Sequence, residues 1–243
     1  MDDFYFKHVR KEIEPLLPPF VSRLVDVGCG SGGTLAWLQS LYPDAHTIGL
    51  DKNPENEREL ERIAKEVHIL DLDKVVPDLG SPDLILFLDV LEHLVNPREV
   101  LKQVCDQLRS GGTIIVSVPN VAHLSVALPL IMRGEFTYRD AGILDNTHLR
   151  FFVQKSAIQL VEAGGFIVDR GLFGIEGPIS RTIDKISFHA LRRRLAKQFI
   201  LRGVRPIAGS QPRPTVWELV APASESDIPL DTSVTKRILG IER

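Results

Sequence analysis

Cysteine is scarce in this 243-residue chain, which holds only Cys29 and Cys105 and no C-x-x-C pair. This count excludes a disulfide framework and a structural zinc site built on cysteine. Long apolar runs are also missing, because the most apolar long window, residues 121–132, is interrupted by His123 and Pro129. It is shorter than the ~20 residues that span a bilayer. The first residues lack the pattern of a signal peptide, so we expect a cytoplasmic protein.

An excess of charge of one sign is missing as well, since the formal net charge is −3. Residues 181–213 are the exception, with nine Lys/Arg and one acidic residue. We interpret this basic segment as a solvated helix over the sheet, a peripheral contact with anionic lipid, or an oligomer contact such as a homodimer. Nucleic acid is not an expected partner, because the segment has few aromatic residues for base stacking.

Short apolar runs alternate with helical patterns along the chain. The predicted strands are residues 23–27, 47–50, 67–70, 83–88, 113–118, 166–170 and 216–220. Because parallel strands that are covered on both faces are apolar throughout, this order predicts an α/β fold. Residues 121–150 break the rhythm and are interpreted as an insert that acts as a substrate lid. Residues 175–214 are predicted to contain a basic helix whose apolar stripe runs from Phe188 to Phe199.

A glycine-rich loop joins the first strand to the first helix. Gly28, Gly30 and Gly33 fit the dinucleotide spacing G-x-G-x-x-G, whereas Gly28, Gly30 and Gly32 fit the G-x-G-x-G spacing of methyltransferases. A tight turn without a ligand is the third interpretation. The loop alone therefore does not distinguish a dinucleotide site, a methyltransferase cofactor site and a turn that binds no ligand.

Acidic residues stand in or directly after four successive predicted strands. They are Asp26, Asp51, Asp71 and Asp89. A carboxylate after the second strand can accept hydrogen bonds from ribose hydroxyls, and one after the third can accept from an adenine amino group. Four carboxylates at one edge disfavour a pyrophosphate and favour a ligand with cationic groups, such as a sulfonium and an ammonium.

Several segments resemble the class I S-adenosylmethionine (SAM) dependent methyltransferases. Residues 25–32, VDVGCGSG, look like the first motif of that family, and residues 83–94, DLILFLDVLEHL, resemble its fourth-strand motif. Residues 117–120 and 142–152 are similar to a bacterial subgroup associated with glycosyltransferases and cell-surface polysaccharide genes. A more distant similarity is to quinone-biosynthesis O-methyltransferases. The resemblance covers about residues 4–172.

The resemblance implies a Rossmann-like three-layer sandwich with a mostly parallel seven-stranded sheet and one antiparallel strand near the C-terminus. The methyltransferase domain would span residues 1–222, followed by a tail at 223–243. The implied activity is SAM-dependent methylation of a small molecule, with a sugar hydroxyl of a surface glycan or its precursor, such as a lipid-linked sugar, as the expected acceptor. An NAD-dependent oxidoreductase and a non-catalytic SAM-binding module are the alternatives.

The resemblance also implies which residues hold the cofactor. The predicted cofactor-binding residues are Arg10, Asp26, Gly28, Gly30, Asp51, Lys52, Asp71, Leu72, Leu88 and Asp89. Arg10 would pair with the methionine carboxylate, Asp51 would bind the ribose, and Asp71 with Leu72 would meet the adenine.

A hydroxyl acceptor benefits from a general base, and two histidines are candidates for it. His148 is the first candidate, with Asp145 expected to orient it, and His93 is the second. Each has a structural alternative, in which the histidine fastens its own loop. The predicted substrate-binding residues are Asn120, His123, Arg139 and Arg150, with loop contacts and surface ion pairs as their alternatives. His93, Asp145 and His148 could be assembled into a metal site, but nothing in their spacing requires one, so we expect none.

Overall fold

The computed structural model describes residues 9–209 and 214–220. The described part contains one eight-stranded sheet. The strands are β1 (Arg23–Val27), β2 (His46–Asp51), β3 (Glu66–Ile69), β4 (Leu84–Leu88), β5 (Thr113–Pro119), β6 (Ile167–Gly174), β7 (Gln198–Val204) and β8 (Val216–Leu219). The predicted tail at 223–243 lies outside the described residues.

The sheet has the order β3-β2-β1-β4-β5-β7-β6-β8. Its first five positions pair in parallel, whereas β7 is antiparallel to both of its neighbours, and β8 is again parallel to β6. The predicted Rossmann-like class with an antiparallel strand near the C-terminus is therefore confirmed. The predicted count of seven strands was one too low, because β7 was not recognised.

Helices connect the strands and cover both faces of the sheet. They are α1 (Gly33–Leu41), α2 (Glu57–Leu60), α3 (Pro97–Gln107), α4 (Leu124–Arg133), α5 (Gln154–Ala163), α6 (Pro178–Ile186) and α7 (Arg192–Leu195), with 3-10 turns at Lys11–Leu16, Pro54–Asn56 and Leu91–His93. No helix within residues 9–209 or 214–220 is long and apolar enough to cross a membrane.

The predicted stripe from Phe188 to Phe199 does not belong to one helix. Phe188 lies between α6 and α7 with a φ of 48° and an exposed fraction of 92%, while Phe199 is buried in β7. The helical spacing of these residues was coincidental, because strand pairing on both sides of β7 outweighs the local pattern. Basic residues of this segment are consequently divided among α6, α7 and the interior strand β7.

The two largest apolar clusters of the core lie on opposite faces of the sheet, and a smaller one surrounds Phe173 and Phe199. Leu84 and Leu86 of β4 pack in one of the two large clusters, and Ile85 and Phe87 pack in the other. This alternation follows from the period of two in a strand, and burial of both faces explains why β4 is apolar throughout. Because β1, β2, β4 and β5 pair in parallel, their carboxyl ends meet at one edge of the sheet. The polar residues that follow these strands therefore lie at that edge.

Candidate active site

The glycine loop is fastened to the end of β2. The amides of Gly28 and Cys29 donate to the Leu50 carbonyl, at 2.7 and 3.1 Å. Gly28, Gly30 and Gly32 all have positive φ, a backbone conformation that glycine adopts without strain. At Gly28 the space is also needed, because a Cβ there would lie 2.5 Å from Cγ2 of Val90. The loop is thus a tight, main-chain-lined turn at the centre of the sheet edge.

The carboxylate of Asp51 is held by three donors at the end of β2. Its Oδ2 accepts from the Gly30 amide at 2.8 Å, and its Oδ1 accepts from the Asn53 amide at 2.8 Å and the Asn56 side chain at 3.2 Å. An ionised carboxylate has about four acceptor sites. One site remains for a ligand hydroxyl, so this geometry suits one ribose hydroxyl better than the two that we expected.

Asp26 lies on β1, two residues before Gly28, and only 2% of its surface is exposed. Burial raises the pKa of Asp26 to about 7, and the negative charge of Asp51 adds to the increase while Arg10 opposes it. A buried carboxylate in this state gains from a nearby cationic ligand group. A pyrophosphate is negatively charged and would repel this carboxylate when it is ionised.

Arg10 approaches the same edge from the N-terminal segment and pairs with two carboxylates, Glu12 and Asp89. Its Nη2 also donates to Ser117 Oγ at 3.2 Å and to Gln198 Oε1 at 3.0 Å. The predicted pairing with a methionine carboxylate would therefore require Arg10 to exchange partners.

The other predicted cofactor residues lie along the same edge, with different exposure. Leu88 ends β4 and Asp89 follows it with a φ of 58°. Lys52 is exposed next to Asp51. After β3, the Asp71 carboxylate is partly exposed near Lys74, and Leu72 packs against the core. The edge therefore gathers all four predicted acidic residues, as the parallel topology requires.

A second polar group adjoins this edge, where the 3-10 turn after β4 meets the loop before α5. The main-chain carbonyl of Glu92 accepts from the amides of Leu149 and Arg150, at 2.8 and 3.0 Å. These bonds bring His148 beside His93, with ring centroids 4.8 Å apart in an edge-to-face arrangement. The two predicted base candidates, 55 positions apart in the chain, therefore belong to one cluster.

Main-chain carbonyls orient both imidazoles through Nδ1. His148 Nδ1 lies 3.1 Å from the Ile143 carbonyl, and His93 Nδ1 lies 3.3 Å from the Thr147 carbonyl. Because a carbonyl only accepts, each Nδ1 carries the proton and each Nε2 of the neutral ring holds a lone pair. The Asp145 carboxylate, which we expected to orient His148, accepts from Thr147, at 2.8 Å from its amide and 2.6 Å from its hydroxyl. The Asp145 main-chain carbonyl accepts from the His148 amide at 3.1 Å.

The Glu92 side chain was not assigned a role from the sequence, and it is the most unusual group of this cluster. Its exposed fraction is 0%, and neither carboxylate oxygen accepts a hydrogen bond from any other described residue. Burial raises the pKa of Glu92 well above its usual range, and the Asp89 charge adds to the increase. The sequence could have indicated a role for Glu92, because a glutamate inside the apolar turn Leu91–Leu94 is expected to be buried, and acidic residues are rarely buried without a partner.

The structure gives other roles to the predicted substrate residues at the end of β5. Asn120 is fully buried, and its amide donates to the carbonyls of Arg193 and Ala196, at 2.8 and 2.7 Å. Both amide hydrogens are used, so Asn120 is better explained as a structural residue than as a substrate ligand. His123 is the N-cap of α4, with its Nδ1 accepting from the Ser125 amide at 3.2 Å.

The two predicted substrate arginines are both exposed. Arg139 forms an isolated main-chain bridge with Asp145, and Arg150 donates from its side chain to the Val95 carbonyl. Neither contact uses the whole guanidinium, so a role in binding an anionic acceptor stays a prediction.

Comparisons with known proteins agree with this geometry. A tRNA U34 carboxymethyltransferase of Shewanella piezotolerans is 32% identical over 114 residues, which cover 44% of this chain and 34% of that protein. A ubiquinone biosynthesis O-methyltransferase of Aeromonas salmonicida is 25% identical over 169 residues, covering 66% of this chain and 69% of the relative. The chain thus spans about a third of the length of the first relative.

A solved structure of a SAM-dependent methyltransferase from Archaeoglobus fulgidus superposes with a TM-score of 0.61 at 19% identity. The superposition covers 84% of this chain and all of that one, which supports the fold. The family described as "Methyltransferase domain" matches residues 1–170, most of the chain. That match includes the glycine loop, the acidic edge and the histidine cluster, and the chain therefore belongs to this methyltransferase family.

Proposed function

We propose that this chain transfers a methyl group from SAM to a hydroxyl of an acceptor bound at the histidine cluster. The observation that carries the proposal is the hydrogen bond from the Gly30 amide to Asp51, in the loop that follows the buried Asp26. This arrangement offers main-chain contacts, one free acceptor position for a ribose hydroxyl, and a buried negative charge for a cationic group. A nicotinamide dinucleotide would place its pyrophosphate against that charge, so the NAD alternative fits less well.

SAM supplies an activated methyl group, and the chain mainly has to align the partners and exclude water. Gly28 and Gly30 hold the ligand through the main chain, and Asp51 fixes its ribose. Asp26 and Asp89 provide negative charge beside the loop. Asp71 and Leu72, which follow β3, would bind the adenine.

The acceptor would lie next to the imidazoles, whose Nε2 lone pairs can accept a hydrogen bond from its hydroxyl. The positive charge of Lys52, which follows Asp51, contributes to lowering the pKa of His93, after burial and His148. This interaction supports an acceptor position beside the proposed cofactor residues. Residues 121–150, which contain α4 and His148, are proposed as the lid over the acceptor.

We infer that the acceptor is a sugar hydroxyl of a surface glycan or its precursor, as the subgroup resemblance implies. The names of the relatives point to different acceptors, tRNA for one and ubiquinone biosynthesis for another. The expectation that nucleic acid is not a partner therefore loses support. Nucleotide sugars, polyprenyl-linked sugars, quinols and tRNA all belong in an acceptor screen.

Calorimetric titration with S-adenosylhomocysteine, with NAD as the comparison, tests the cofactor. We expect micromolar binding of the first ligand and none of the second. Asp26→Asn should weaken the binding at least tenfold, whereas Asp44→Asn, which changes an exposed carboxylate before β2, should leave it unchanged. Binding of NAD alone would overturn the proposal. Tight binding without turnover of any acceptor would favour a non-catalytic SAM-binding module.

We also propose that α6 contacts an anionic membrane surface. Ile179, Ile183 and Ile186 recur at helical spacing on one face and are exposed by 75, 38 and 73%. Phe188, just beyond the helix, is 92% exposed, and basic residues of α7 follow. An apolar stripe beside clustered arginines is typical of helices that lie in the membrane interface.

Vesicle sedimentation tests this contact. The protein should pellet with phosphatidylglycerol-containing vesicles and not with pure phosphatidylcholine. Ile186→Glu should abolish pelleting, whereas Phe20→Glu, at an 88% exposed site before β1, should not. If the α6 variant pellets normally, the membrane proposal fails. A shift from dimer to monomer in that variant would instead favour an oligomer contact.

A further inference from the structure

We propose that Glu92, His93 and His148 form a binding site for a divalent first-row transition-metal ion. One ligating atom from each residue lies within 4.8 Å of the others. Ligands bound tetrahedrally at about 2.1 Å lie about 3.4 Å from one another. Side-chain rotations that move the ligating atoms by about an ångström would therefore complete the coordination.

The orientation of the imidazoles suits metal binding. Histidines that bind metals usually donate their other ring N–H to a carbonyl or carboxylate, which fixes the tautomer. His93 and His148 both make this contact through Nδ1, to the carbonyls of Thr147 and Ile143. His93 Nδ1 also lies 3.1 Å from the Thr147 hydroxyl, which donates to Asp145. The cluster thus has an outer shell that leaves both Nε2 atoms as donors to a metal.

The Glu92 carboxylate is the independent observation that points to a cation. It is fully buried, and its oxygens accept no hydrogen bond from any other described residue. Leaving such a group without a partner is costly, and buried carboxylates are ordinarily paired or bound to metals. A divalent ion between Glu92 and the two imidazoles would satisfy it.

A second histidine–glutamate group in this chain lacks these features. His46 Nε2 and His68 Nε2 lie 3.1 and 2.8 Å from the carboxylate of Glu66, which also accepts from Arg23. Its imidazole Nε2 atoms and its carboxylate are therefore used within the protein. The contrast makes this second group a matched control.

Two imidazoles and one carboxylate favour Zn²⁺, Fe²⁺, Co²⁺ or Ni²⁺ over Mg²⁺ and Ca²⁺, which prefer oxygen ligands. Three protein ligands leave coordination positions open for an acceptor oxygen. An ion there would lower the pKa of that hydroxyl, and His148 would then be a ligand instead of the general base. This role rests on the proposed function, whereas the binding of the ion does not.

Titration of the metal-stripped protein with Co²⁺ tests the site, because its visible absorption reports nitrogen and oxygen ligation. We expect one site per chain. Glu92→Gln and His148→Asn should each weaken Co²⁺ binding at least a hundredfold, and His68→Asn should leave it unchanged. Thr147→Val, which removes an outer-shell contact, should weaken it about tenfold.

Circular dichroism and S-adenosylhomocysteine titration of the same variants separate the possible failures. Glu92→Gln keeps the side-chain shape, and the half-buried His148 provides a second variant that is less disruptive. Unchanged Co²⁺ binding in both variants, or its loss in His68→Asn, would overturn the metal site. Failure of the unaltered protein to bind S-adenosylhomocysteine would instead count against the proposed function.

Discussion

Arg10 and Asp89 form an ion pair that joins the N-terminal segment to the end of β4. The arginine side chain is 13% exposed and that of the aspartate 28%. Ser117 extends the contact, because its hydroxyl donates to Asp89 Oδ1 at 2.7 Å and accepts from Arg10. Residues distant in sequence are thereby held at the cofactor edge before any ligand binds.

Removal of this arginine should destabilise the protein. We expect Arg10→Met to lower the free energy of unfolding by about 2–3 kcal/mol, because two carboxylates lose their cation. Arg109→Met removes an ion pair with Asp83 whose arginine is 60% exposed, and it should cost less than about 1 kcal/mol. Urea denaturation measures both. Equal losses would show that the Arg10 pair is no stronger than a surface pair.

The glycine loop can be tested with two glycines of the same backbone conformation. Gly28 and Gly134 both have a φ of 67°, but a Cβ at Gly134 meets no atom within 4 Å. Gly134→Ala should therefore cost only the backbone strain, about 1 kcal/mol. Gly28→Ala adds the clash with Val90 and should cost about 3 kcal/mol and abolish cofactor binding.

A compensating substitution identifies the cause of that loss. In the double variant Gly28→Ala, Val90→Ala the clashing methyl is gone, so part of the lost stability should return. Differential scanning calorimetry of these three variants and of the unaltered protein gives the comparison. Stability that does not differ between Gly28→Ala and Gly134→Ala would show that Val90 moves freely.

The central strands and the glycine loop were predictable because their signals are local. An apolar run such as 84–88 forms a strand that is buried on both faces, and the glycines that follow β1 mark the turn. β7 was missed because residues 198–204 form a strand only by pairing with β5 and β6, a tertiary effect.

The histidine cluster also depends on tertiary contacts that the sequence does not show. His93 and His148 were each singled out from the sequence, but their contact depends on hydrogen bonds from a distant loop to the Glu92 carbonyl. The prediction of no metal site followed from spacing alone. Spacing within a sequence does not reveal which loops meet at the edge of a sheet.

Asp184 should control how firmly α7 is attached. Its buried carboxylate accepts from His189 Nδ1 and Arg192 Nη2, both at 2.9 Å. Burial tends to raise the pKa of Asp184, but these donors outweigh it and hold the pKa below its usual value. The ionised Asp184 carboxylate therefore stabilises the attachment of α7 above the ordinary aspartate pKa of about 3.9. This stabilisation is lost as the pH falls below that value.

Limited trypsin digestion measures the attachment. Asp184→Asn should speed cleavage within residues 192–194 about tenfold near pH 8, for a local loss of about 1.4 kcal/mol. Glu176→Gln, which removes the exposed pair with Lys197 in the same region, should change the rate little. Unchanged cleavage in the Asp184 variant would show that α7 is held by its apolar contacts alone.

Asp26 should make the ligand-free protein less stable as the pH rises. The unfolded chain loses this proton near the ordinary aspartate pKa of about 3.9, whereas the native state keeps it until about pH 7. Between these values the native state binds more protons, so the free energy of unfolding falls as the pH rises. The loss is complete above about pH 7 and amounts to roughly 4 kcal/mol.

Asp26→Asn is neutral at every pH and escapes this loss. We expect the variant to be more stable than the unaltered protein near pH 8, with the difference disappearing towards about pH 4. Urea denaturation across this range measures it, and Asp44→Asn should show no such trend. If Asp26→Asn is instead the less stable protein near pH 8, polar contacts must hold the native carboxylate ionised. Greater stability combined with weaker S-adenosylhomocysteine binding would mean that the buried charge is kept for the ligand at the expense of the fold.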